Sequence, residues 1–353
     1  MSKIIQVETK NANYPIHIKN GLRFSWARII KSYLRGHKVV VITDENVAPL
    51  YGAFLINQLE ELGIDASIYL IAPGETSKSL LNYESISTKL IEANITRSDL
   101  IVALGGGVVG DLTGFVAATL LRGIDFIQIP TSLLAQIDSS VGGKVAVNLP
   151  IGKNLLGSFY HPKAVIIDPE VLKTLDKRVL ADGMGEVIKY ACIKDKEFFS
   201  LLSNSNLDLI SDIFEDIIAR CCQIKADIVK RDEKESSERM LLNFGHTLGH
   251  VIESYYGYSK YTHGEAVGLG MLMIIELGES LGLTQKRSYD RVKKLMTRYN
   301  LPTDYPKMDK EKMLKIIAHD KKSLGKTINT IYIDKIGSSF IKPTELNALL
   351  KIV

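Results

Sequence analysis

A doubly wound α/β domain followed by a mainly α-helical domain is the fold that the sequence predicts. In the first half, short β-branched runs alternate with helical patterns, which is typical of βαβ units around a parallel sheet. From Val179 onward the pattern changes to amphipathic helices. With 353 residues, the chain is long enough for two cores. We therefore expect a boundary near residue 177, with domains at 1–177 and 178–353.

Five short runs in the first half are predicted strands. Apolar runs of this length suit strands that lie between two layers of helices in a parallel sheet. Helical patterns separate the first three of them and follow the third. The expected strands span 38–42, 66–71, 100–104, 126–129 and 164–167, and the expected helices span 49–62, 78–93 and a segment ending at 121.

A glycine-rich turn follows the strand at 100–104. Residues 105–111 read GGGVVGD, which satisfies G-x-G-x-x-G between a strand and a helix. Glycines let the backbone approach a pyrophosphate, and a helix N-terminus attracts anions. The usual dinucleotide fingerprint follows the first strand rather than a middle one, so a tight turn without a ligand remains an alternative. Polar residues at other strand ends, which are Asp44, Glu75 and Thr131-Ser132, favour nucleotide binding.

Polar residues are dense between positions 122 and 154, within an apolar and glycine-rich background. A single charge in such a loop is often only solvated. Several cations near a nucleotide site predict an anionic substrate, and a phosphate is the expected group. The polar residues are Arg122, Asp138, Ser139, Lys144, Lys153 and Asn154.

The second half reads mostly as helix and ends in a small hairpin. Segment 182–189 (DGMGEVIK) opens it and places Glu186 and Lys189 three residues apart on one helical face. Surface pairs at this spacing are common, so the pair alone is interpreted as structural. The expected helices span 213–230, 241–255 and 266–281, and the hairpin pairs 327–333 with 338–341.

Three of the seven histidines lie close together, which indicates a metal site. His246 and His250 stand four residues apart on one helical face, and His263 follows a short loop. Neutral imidazole suits Zn²⁺ and its neighbours, and catalytic sites typically use three protein ligands. The spacing therefore pairs His246 with His250 as ligands. A helix whose histidines only hydrogen-bond locally is the alternative.

The composition is that of an ordinary globular protein. Its apolar fraction is 46% and its charged fraction 24%, and a net charge of +4 is too small to indicate nucleic acid. Three cysteines make no disulfide framework, which suits a reducing cytoplasm. The first residues lack an apolar signal core, and no apolar run is long enough to span a bilayer. We therefore expect a cytoplasmic protein without a membrane partner.

Six segments of the chain, taken together, resemble the 3-dehydroquinate synthases, which are sugar phosphate cyclases of the shikimate pathway. The similarity covers essentially the whole chain, with one small departure, because the family usually has Thr-Thr at Thr131-Ser132. The glycine-rich turn and the His-Gly-Glu element alone would also resemble the iron-type polyol dehydrogenases, which share the fold. The segments are 105–111, 130–144 (PTSLLAQIDSSVGGK), 152–154, 183–189 (GMGEVIK), 243–250 (NFGHTLGH) and 263–265.

The resemblance implies an α/β N-terminal Rossmann-like domain that binds NAD, plus a mainly α-helical C-terminal domain that supplies the metal site. It implies Glu186, His246 and His263 as ligands of a divalent metal (Zn or Co), and it moves His250 from the metal to the substrate. The implied NAD contacts are Asp44, Asn46, Glu75, Lys78, Gly106, Gly107, Val108, Asp111, Thr131, Ser132, Asp138 and Lys153. The implied substrate contacts are Arg122, Lys144, Asn154, Lys189, Lys225, Arg239, Asn243, His250 and Lys321, with Lys322 as the alternative to the last.

The implied activity is that of a carbon–oxygen lyase in chorismate and aromatic amino acid biosynthesis. It converts 3-deoxy-D-arabino-heptulosonate 7-phosphate to 3-dehydroquinate and phosphate. NAD oxidises C5 transiently, phosphate is eliminated, C5 is reduced again, and an intramolecular aldol closes the ring. A polyol dehydrogenase, a sibling sugar-phosphate cyclase and a non-catalytic binding protein are the alternatives. A homodimer is also expected.

Overall fold

The computed structural model describes residues 3–207, 210–320 and 327–349. The chain separates into two compact units, and each contains parts of the chain that are not consecutive. The first unit contains Met1–Leu175 and Phe214–Glu233, and the second contains Asp176–Ile213 and Lys234–Val353. The chain leaves the first unit close to the expected boundary at residue 177. It then returns for one helix, which a single boundary had assigned to the second domain.

Strands are concentrated in the first unit. The structure has β1 (Lys3–Glu8), β2 (Asn13–Ile18), β3 (Lys38–Asp44), β4 (Asp65–Ile71), β5 (Leu100–Gly105), β6 (Phe126–Pro130), β7 (Lys144–Leu149), β8 (Gly152–Phe159), β9 (Ala164–Ile167), β10 (Thr327–Lys335) and β11 (Ser338–Glu345). One seven-stranded sheet has the order β1-β2-β9-β6-β5-β3-β4. Its pairs are parallel except for β1 with β2. Two antiparallel hairpins, β7–β8 and β10–β11, complete the strands.

Helices occur in both units. They are α1 (Trp26–Tyr33), α2 (Ala53–Glu61), α3 (Leu80–Glu92), α4 (Gly107–Thr119), α5 (Lys177–Lys194), α6 (Lys196–Ser203), α7 (Phe214–Arg231), α8 (His246–Tyr255), α9 (His263–Ser280), α10 (Ser288–Arg298), α11 (Lys310–Asp320) and α12 (Leu346–Leu349). Of these, α1–α4 and α7 belong to the first unit and the others to the second.

The main sheet buries both of its faces, because the side chains of each strand alternate between two cores. Val39 and Val41 pack in one core with residues of α1 and α2. Val40 and Ile42 pack in the other with residues of α3 and α4. This arrangement confirms the predicted α/β fold class, and it explains why the strand sequences read as continuous apolar runs.

Helix α9 is the centre of the second unit. Every residue from 264 to 275 is buried, and the helix packs against α5, α8 and α10. Its apolar residues therefore face these helices and strand β10. Nowhere in the described ranges is a helix both long and apolar enough to cross a membrane.

Three local features differ from the sequence prediction. The helix expected at 241–255 begins only at His246, because the N-cap residue Gly245 has a left-handed backbone with φ of 80°, which is not helical. Strands β1 and β2 were not anticipated. The β7–β8 hairpin lies in the stretch that was interpreted as a polar loop.

Candidate functional site

Glu186 and Lys189 lie together in the interior of the second unit. Both are on α5, with exposed fractions of 0% and 1%, and the Lys189 ammonium forms an ion pair with the Glu186 carboxylate. The pair is therefore buried, unlike the surface pairs that are common at this spacing. Among the described residues, no donor makes a hydrogen bond of favourable geometry to either Glu186 oxygen. A buried carboxylate in this state is costly unless a further cation binds it.

Two imidazoles approach the same carboxylate from other helices. His246 is the first residue of α8, and its Nε2 lies 3.5 Å from Glu186 Oε1. His263 is the first residue of α9, and its Nε2 lies 3.7 Å from the same oxygen. One ligand atom from each of the three residues lies within 4.8 Å of the other two. Three donors from three helices thus converge on one point.

This donor set fits a divalent metal ion. Ligand atoms about 2.0–2.1 Å from a tetrahedral Zn²⁺ lie roughly 3.3 Å apart, which is close to the observed separations. One carboxylate and two imidazoles are donors that Zn²⁺ and Co²⁺ accept. Three protein ligands leave a coordination position open, as a catalytic site requires.

The protonation of the two histidines differs because their partners differ. His246 donates from Nδ1 to the Phe244 carbonyl oxygen at 3.2 Å, which directs the Nε2 lone pair toward Glu186. Burial, helped by the Lys189 charge, lowers the pKa of His246 well below its usual value and keeps the ring neutral. Burial also opposes the charged form of His263. The carboxylates of Glu253 and Glu186 outweigh burial and raise the pKa of His263 to about 9.

Glycines allow α5 and α9 to approach each other closely. A Cβ at Gly264 would lie 1.9 Å from the Asp182 carbonyl oxygen, and one at Gly185 would lie 2.5 Å from the Gly264 carbonyl oxygen. Helices α5 and α9 therefore touch through their backbones at this point. The close approach explains why glycines stand beside the ligands in the segments 183–189 and 263–265.

His250 lies outside the group that contains Glu186. Its side chain is exposed, and its ring centroid lies 5.6 Å from that of His246 and 6.2 Å from that of His263. A second group of donor atoms within 4.8 Å of one another joins His250, Glu253 and His263. The spacing alone pairs His246 with His250 as metal ligands. In the structure, the group that contains Glu186 joins His246 with His263 instead, and Glu186 comes from α5.

The other predicted residues of the second unit lie on a 3₁₀ segment before α8. Arg239 is 2% exposed within Glu238–Asn243. Asn243 is half-buried and donates to Glu235 Oε1. Lys321 and its alternative Lys322 lie outside the described residues.

In the first unit, the predicted nucleotide contacts gather at the carboxyl edge of the parallel sheet. Asp44 ends β3, and its Oδ1 accepts the N–H groups of Asn46 and Val47 at 2.9 and 3.0 Å. Thr131 follows β6 and donates its N–H to the Gly105 carbonyl oxygen at 3.0 Å. Since β3, β5 and β6 are neighbours, their ends form one continuous edge. This is where open α/β sheets bind ligands.

The glycine-rich turn opens α4 at this edge. Gly106 is the N-cap residue, and no side chain in the described ranges caps the N-terminus of α4. A Cβ at Gly107 would lie 3.1 Å from Ser139 Oγ, so a larger residue would crowd the turn. Uncapped N–H groups at a helix N-terminus suit a phosphate. The neighbouring residues Val108 and Ser132 are half-buried.

Lys78 connects two other predicted residues. Its buried ammonium contacts the carboxylate of Asp111 and the side-chain oxygen of Asn154. Burial raises the pKa of Asp111, and the Lys78 charge opposes this effect. Beside this group, Asn148 donates to Glu75 Oε1 at 2.7 Å. The cluster therefore provides partners for its own charges.

Lys225 reaches the same unit from α7. Its ammonium donates to the Asp138 carbonyl oxygen at 2.7 Å and to Asp138 Oδ1 at 2.8 Å. Sequence reasoning had assigned Lys225 to the second domain, whereas α7 packs on the first unit against β1 and the 138 segment.

The remaining predicted cations of the first unit are more accessible. Arg122 and Lys144 are exposed, and Lys153 is half-buried at the turn of the β7–β8 hairpin. Arg122 and Asn154 both have left-handed backbones, with φ of 65° and 57°. A non-glycine residue in this conformation is uncommon and often marks a functional loop.

Glu253 is a site residue to which sequence reasoning gave no role. It is buried on α8, with Oε2 3.5 Å from His263 Nδ1, on the side of the ring opposite Glu186. A carboxylate in this position orients a metal-binding imidazole. The sequence does contain an indication of this role, since Glu253 stands three residues after His250 on the same helical face.

Comparison with known proteins gives consistent matches over the chain. Residues 68–182 match the model of the 3-dehydroquinate synthase N-terminal family, and residues 183–323 match that of the 3-dehydroquinate synthase C-terminal family. The 3-dehydroquinate synthase of Clostridium botulinum is 50% identical over 98% of this chain and 99% of the relative. That of Clostridium kluyveri is 51% identical over 95% of this chain and 94% of the relative.

Solved structures show the same fold. A 2-deoxy-scyllo-inosose synthase complexed with carbaglucose-6-phosphate, NAD⁺ and Co²⁺ has a TM-score of 0.89 and 24% identity, over 99% of both chains. The 2-epi-5-epi-valiolone synthase of Streptomyces hygroscopicus, with NAD⁺ and Zn²⁺ bound, has a TM-score of 0.89 and 25% identity, over 98% of this chain and 96% of its own. A glycerol dehydrogenase from Schizosaccharomyces pombe is more distant, with a TM-score of 0.66 and 15% identity, over 96% of this chain and 87% of its own.

Proposed function

The chain belongs to the 3-dehydroquinate synthase family, and from this premise we propose how its residues perform that reaction. The enzyme is a lyase of the shikimate pathway that uses NAD and a divalent cation. It converts 3-deoxy-D-arabino-heptulosonate 7-phosphate to 3-dehydroquinate and phosphate. The observation that carries this proposal is the convergence of Glu186, His246 and His263, in a chain about half identical to 3-dehydroquinate synthases over nearly its whole length.

The second unit supplies the metal ligands. Glu186, His246 and His263 hold the cation, while Glu253 orients the His263 ring from its other nitrogen. When bound, NAD would accept and return a hydride at C5, and the cation would stabilise negative charge on the substrate oxygens. The neutral state of His246 suits this role, because only a deprotonated ring nitrogen binds a metal.

The first unit supplies the nucleotide site. The backbone at Gly106, Gly107 and Val108 presents N–H groups to the pyrophosphate of NAD. The other proposed NAD contacts lie at or near the sheet edge described above and are Asp44, Asn46, Glu75, Lys78, Asp111, Thr131, Ser132, Asp138 and Lys153. Support for this assignment comes from the strand ends that these residues follow.

Several cations are proposed to bind the anionic substrate. Lys144, Lys189 and Arg239 hold carboxylate and phosphate oxygens, which fixes their orientation and stabilises charge. Arg122, Asn154, Lys225, Asn243 and Lys321 complete the proposed contacts. His250 is exposed and carries an imidazole, a group suited to proton transfer, so it takes the proton of the C5 hydroxyl. The substrate's own phosphate takes the C6 proton.

The proposed oligomer is a homodimer. The β8 strand and the turn before it expose apolar side chains, with Ile151 68%, Leu155 59% and Phe159 44% exposed. Exposed apolar side chains along one strand are typical of an interface. Light scattering on wild-type protein and on the Leu155→Lys variant tests this. A wild-type monomer at micromolar concentration contradicts the dimer.

Cytoplasmic location remains a prediction. It is supported by Cys192, Cys221 and Cys222, which are all buried free thiols.

A phosphate-release assay tests the proposed function. The heptulosonate phosphate is incubated with enzyme and cation, with and without added NAD⁺, and phosphate and NADH are followed together. We expect phosphate release that depends on NAD⁺, without accumulation of free NADH, because the hydride returns to C5. NADH in proportion to substrate consumed would instead identify a polyol dehydrogenase. Turnover of a different sugar phosphate only would identify a sibling cyclase. No turnover with both cofactors bound would identify a binding protein.

A further inference from the structure

A cavity of about 320 Å³ lies on the second unit between α6 and α10, and its residues are outside the proposed catalytic set. Buried Phe199 and Leu295 contribute its apolar surface. Polar groups from both helices surround them. The lining residues are Phe199, Ser200, Ser203, Asn204, Arg291, Lys294, Leu295 and Arg298.

The charge of this cavity is entirely positive. Arg291, Lys294 and Arg298 stand at positions i, i+3 and i+7 of α10 and therefore share one helical face. The lining contains no carboxylate. Within the ranges that the structure describes, none of the three cations forms an ion pair with an acidic side chain. Their mutual repulsion is therefore not offset by an ion pair, and a bound anion would relieve it.

Two of the cations are held in place. The Arg298 guanidinium donates to the carbonyl oxygens of Ser203 and Ser205, the latter at 3.2 Å. The Arg291 guanidinium lies 5.3 Å from the centroid of the Phe199 ring, in cation–π geometry. Holding these side chains in advance reduces the entropy lost when an anion binds.

The surrounding sequence increases the positive potential. Residues 286–298 contain six lysines and arginines and a single acidic residue, Asp290. A neighbouring cavity shares Arg291 and Lys294 and adds Lys286 and Arg287, with Asp290 as the one carboxylate of its lining. The field at the first cavity therefore favours a multiply charged anion.

We propose that the cavity between α6 and α10 binds a small phosphorylated molecule, as a second ligand site separate from the catalytic residues. Arg291 and Lys294 are one helical turn apart, about 4.5 Å along the axis, so their side chains can reach the same phosphate. Arginine provides a planar fork for two phosphate oxygens, and lysine adds a point charge. The concave shape and volume fit a small molecule, whereas an extended polyanion would prefer a flat or elongated surface.

Isothermal titration calorimetry with pyrophosphate as the probe tests this site. The test variant is Arg291→Gln/Lys294→Gln, in which both changed side chains are exposed. Arg298 is left unchanged because it also holds backbone carbonyls. The matched control is Lys293→Gln/Lys310→Gln, which removes the same charge from residues of the second unit outside the cavity lining.

We expect one pyrophosphate-binding event in wild type and control. The test variant should bind pyrophosphate with an affinity at least about tenfold lower, because two charge-assisted contacts are lost. Without pyrophosphate, all three proteins should have the same kcat and KM for the heptulosonate phosphate. Any binding of pyrophosphate to the catalytic residues should have the same affinity in all three proteins. The melting temperature of each variant verifies its fold, and Lys294→Gln alone provides the test if the double variant is unstable.

Three results would overturn the proposal. Equal pyrophosphate affinity in wild type and test variant would show that the cavity binds no phosphate. An equal loss in the control would assign binding to the general charge of the unit. Tighter binding of a single-stranded oligonucleotide than of pyrophosphate, lost in both variants, would identify a surface for an extended polyanion.

Discussion

Two buried polar clusters in this protein stabilise their charged groups in different ways. In the first unit, Lys78 lies between Asp111 and Asn154, so its cluster contains the partners of its own charges. In the second unit, Lys189 forms an ion pair with Glu186, but the imidazoles of His246 and His263 face the same carboxylate at 3.5 and 3.7 Å, which is too long for good hydrogen bonds.

The difference shows which cluster contributes to folding and which is prepared for a ligand. A buried ion pair with hydrogen bonds is costly to break, because removal of one partner leaves the other unsatisfied. A carboxylate and two imidazoles that converge without hydrogen-bonding one another gain their full stabilisation only from an added cation. Substitutions in the two units should therefore affect different measured quantities.

The largest expected effect is that of His246→Ala. We expect loss of tight metal binding and a decrease in kcat/KM of roughly 10²–10³-fold or more, since a group that stabilises transition-state charge is lost. Stability of the metal-free protein should change by less than about 1 kcal/mol, because the helical core does not depend on this ring. Metal content and thermal unfolding in a chelator measure the two effects. His250→Ala is the control and should retain the metal. Retention of the metal by His246→Ala would contradict the assignment.

Glu253→Gln should lower metal affinity by about 10–100-fold, the usual effect of removing the partner of a metal-binding histidine. The visible spectrum of the Co²⁺-loaded protein should also change, because the ligand field of His263 changes. Titration with Co²⁺ measures both effects. Glu253→Asp, which keeps the charge, should recover part of the affinity. If Glu253→Gln binds Co²⁺ as wild type does, this carboxylate does not orient His263.

Lys78→Met should act mainly on stability and NAD binding in the first unit. Removal of the ammonium leaves Asp111 without its cation, and we expect a loss of about 1–2 kcal/mol, reduced from the fully buried case because Asp111 is only half-buried. Thermal unfolding and NAD⁺ titration measure the change, with Lys89→Met on the exposed face of α3 as the control. Metal affinity should remain that of wild type. A stability change no larger than that of His246→Ala would remove the contrast between the clusters.

The smallest expected effect concerns Asp99, which is 4% exposed and accepts N–H groups of His37, Lys38 and Thr96 at 2.7–3.0 Å. Burial raises its pKa, but these hydrogen bonds outweigh burial and lower the pKa below its ordinary value. Its stabilisation is therefore complete above the unfolded pKa near 3.8 and disappears as pH falls through the lower folded pKa. Asp99→Asn should cost about 1 kcal/mol at pH 7 and less below pH 3. A pH-independent difference in thermal unfolding would contradict this account.

Much of the fold followed from local sequence patterns. The strand predicted at 100–104 is observed as Leu100–Gly105, and the helix predicted at 213–230 as Phe214–Arg231. These elements are identifiable because burial imposes a period on each run of residues. The antiparallel pair β1–β2 and the β7–β8 hairpin were missed, since short runs with mixed polarity carry a weak signal.

Sequence motifs also located the chemistry without determining its geometry. The histidine spacing indicated a metal, and the glycine-rich turn indicated a nucleotide. Spacing alone joined His246 to His250, because neighbours on one helix are the only contacts that a local period can predict. The resemblance to a family supplied Glu186 as the third donor, and the structure places Glu186 beside His246 and His263.

The sequence by itself determined the five central parallel strands and most of the helices between them, the nature of the metal donors and the excess of cations near the nucleotide site, because these properties are local or compositional. Only the tertiary structure decided that Glu186 on α5 meets His246 on α8 and His263 on α9. It also decided that Lys225 belongs to the first unit, beside Asp138. Contacts between residues far apart in the chain depend on how helices and sheets pack. That packing is set by the sum of many buried side chains and close glycine contacts, which no single motif encodes.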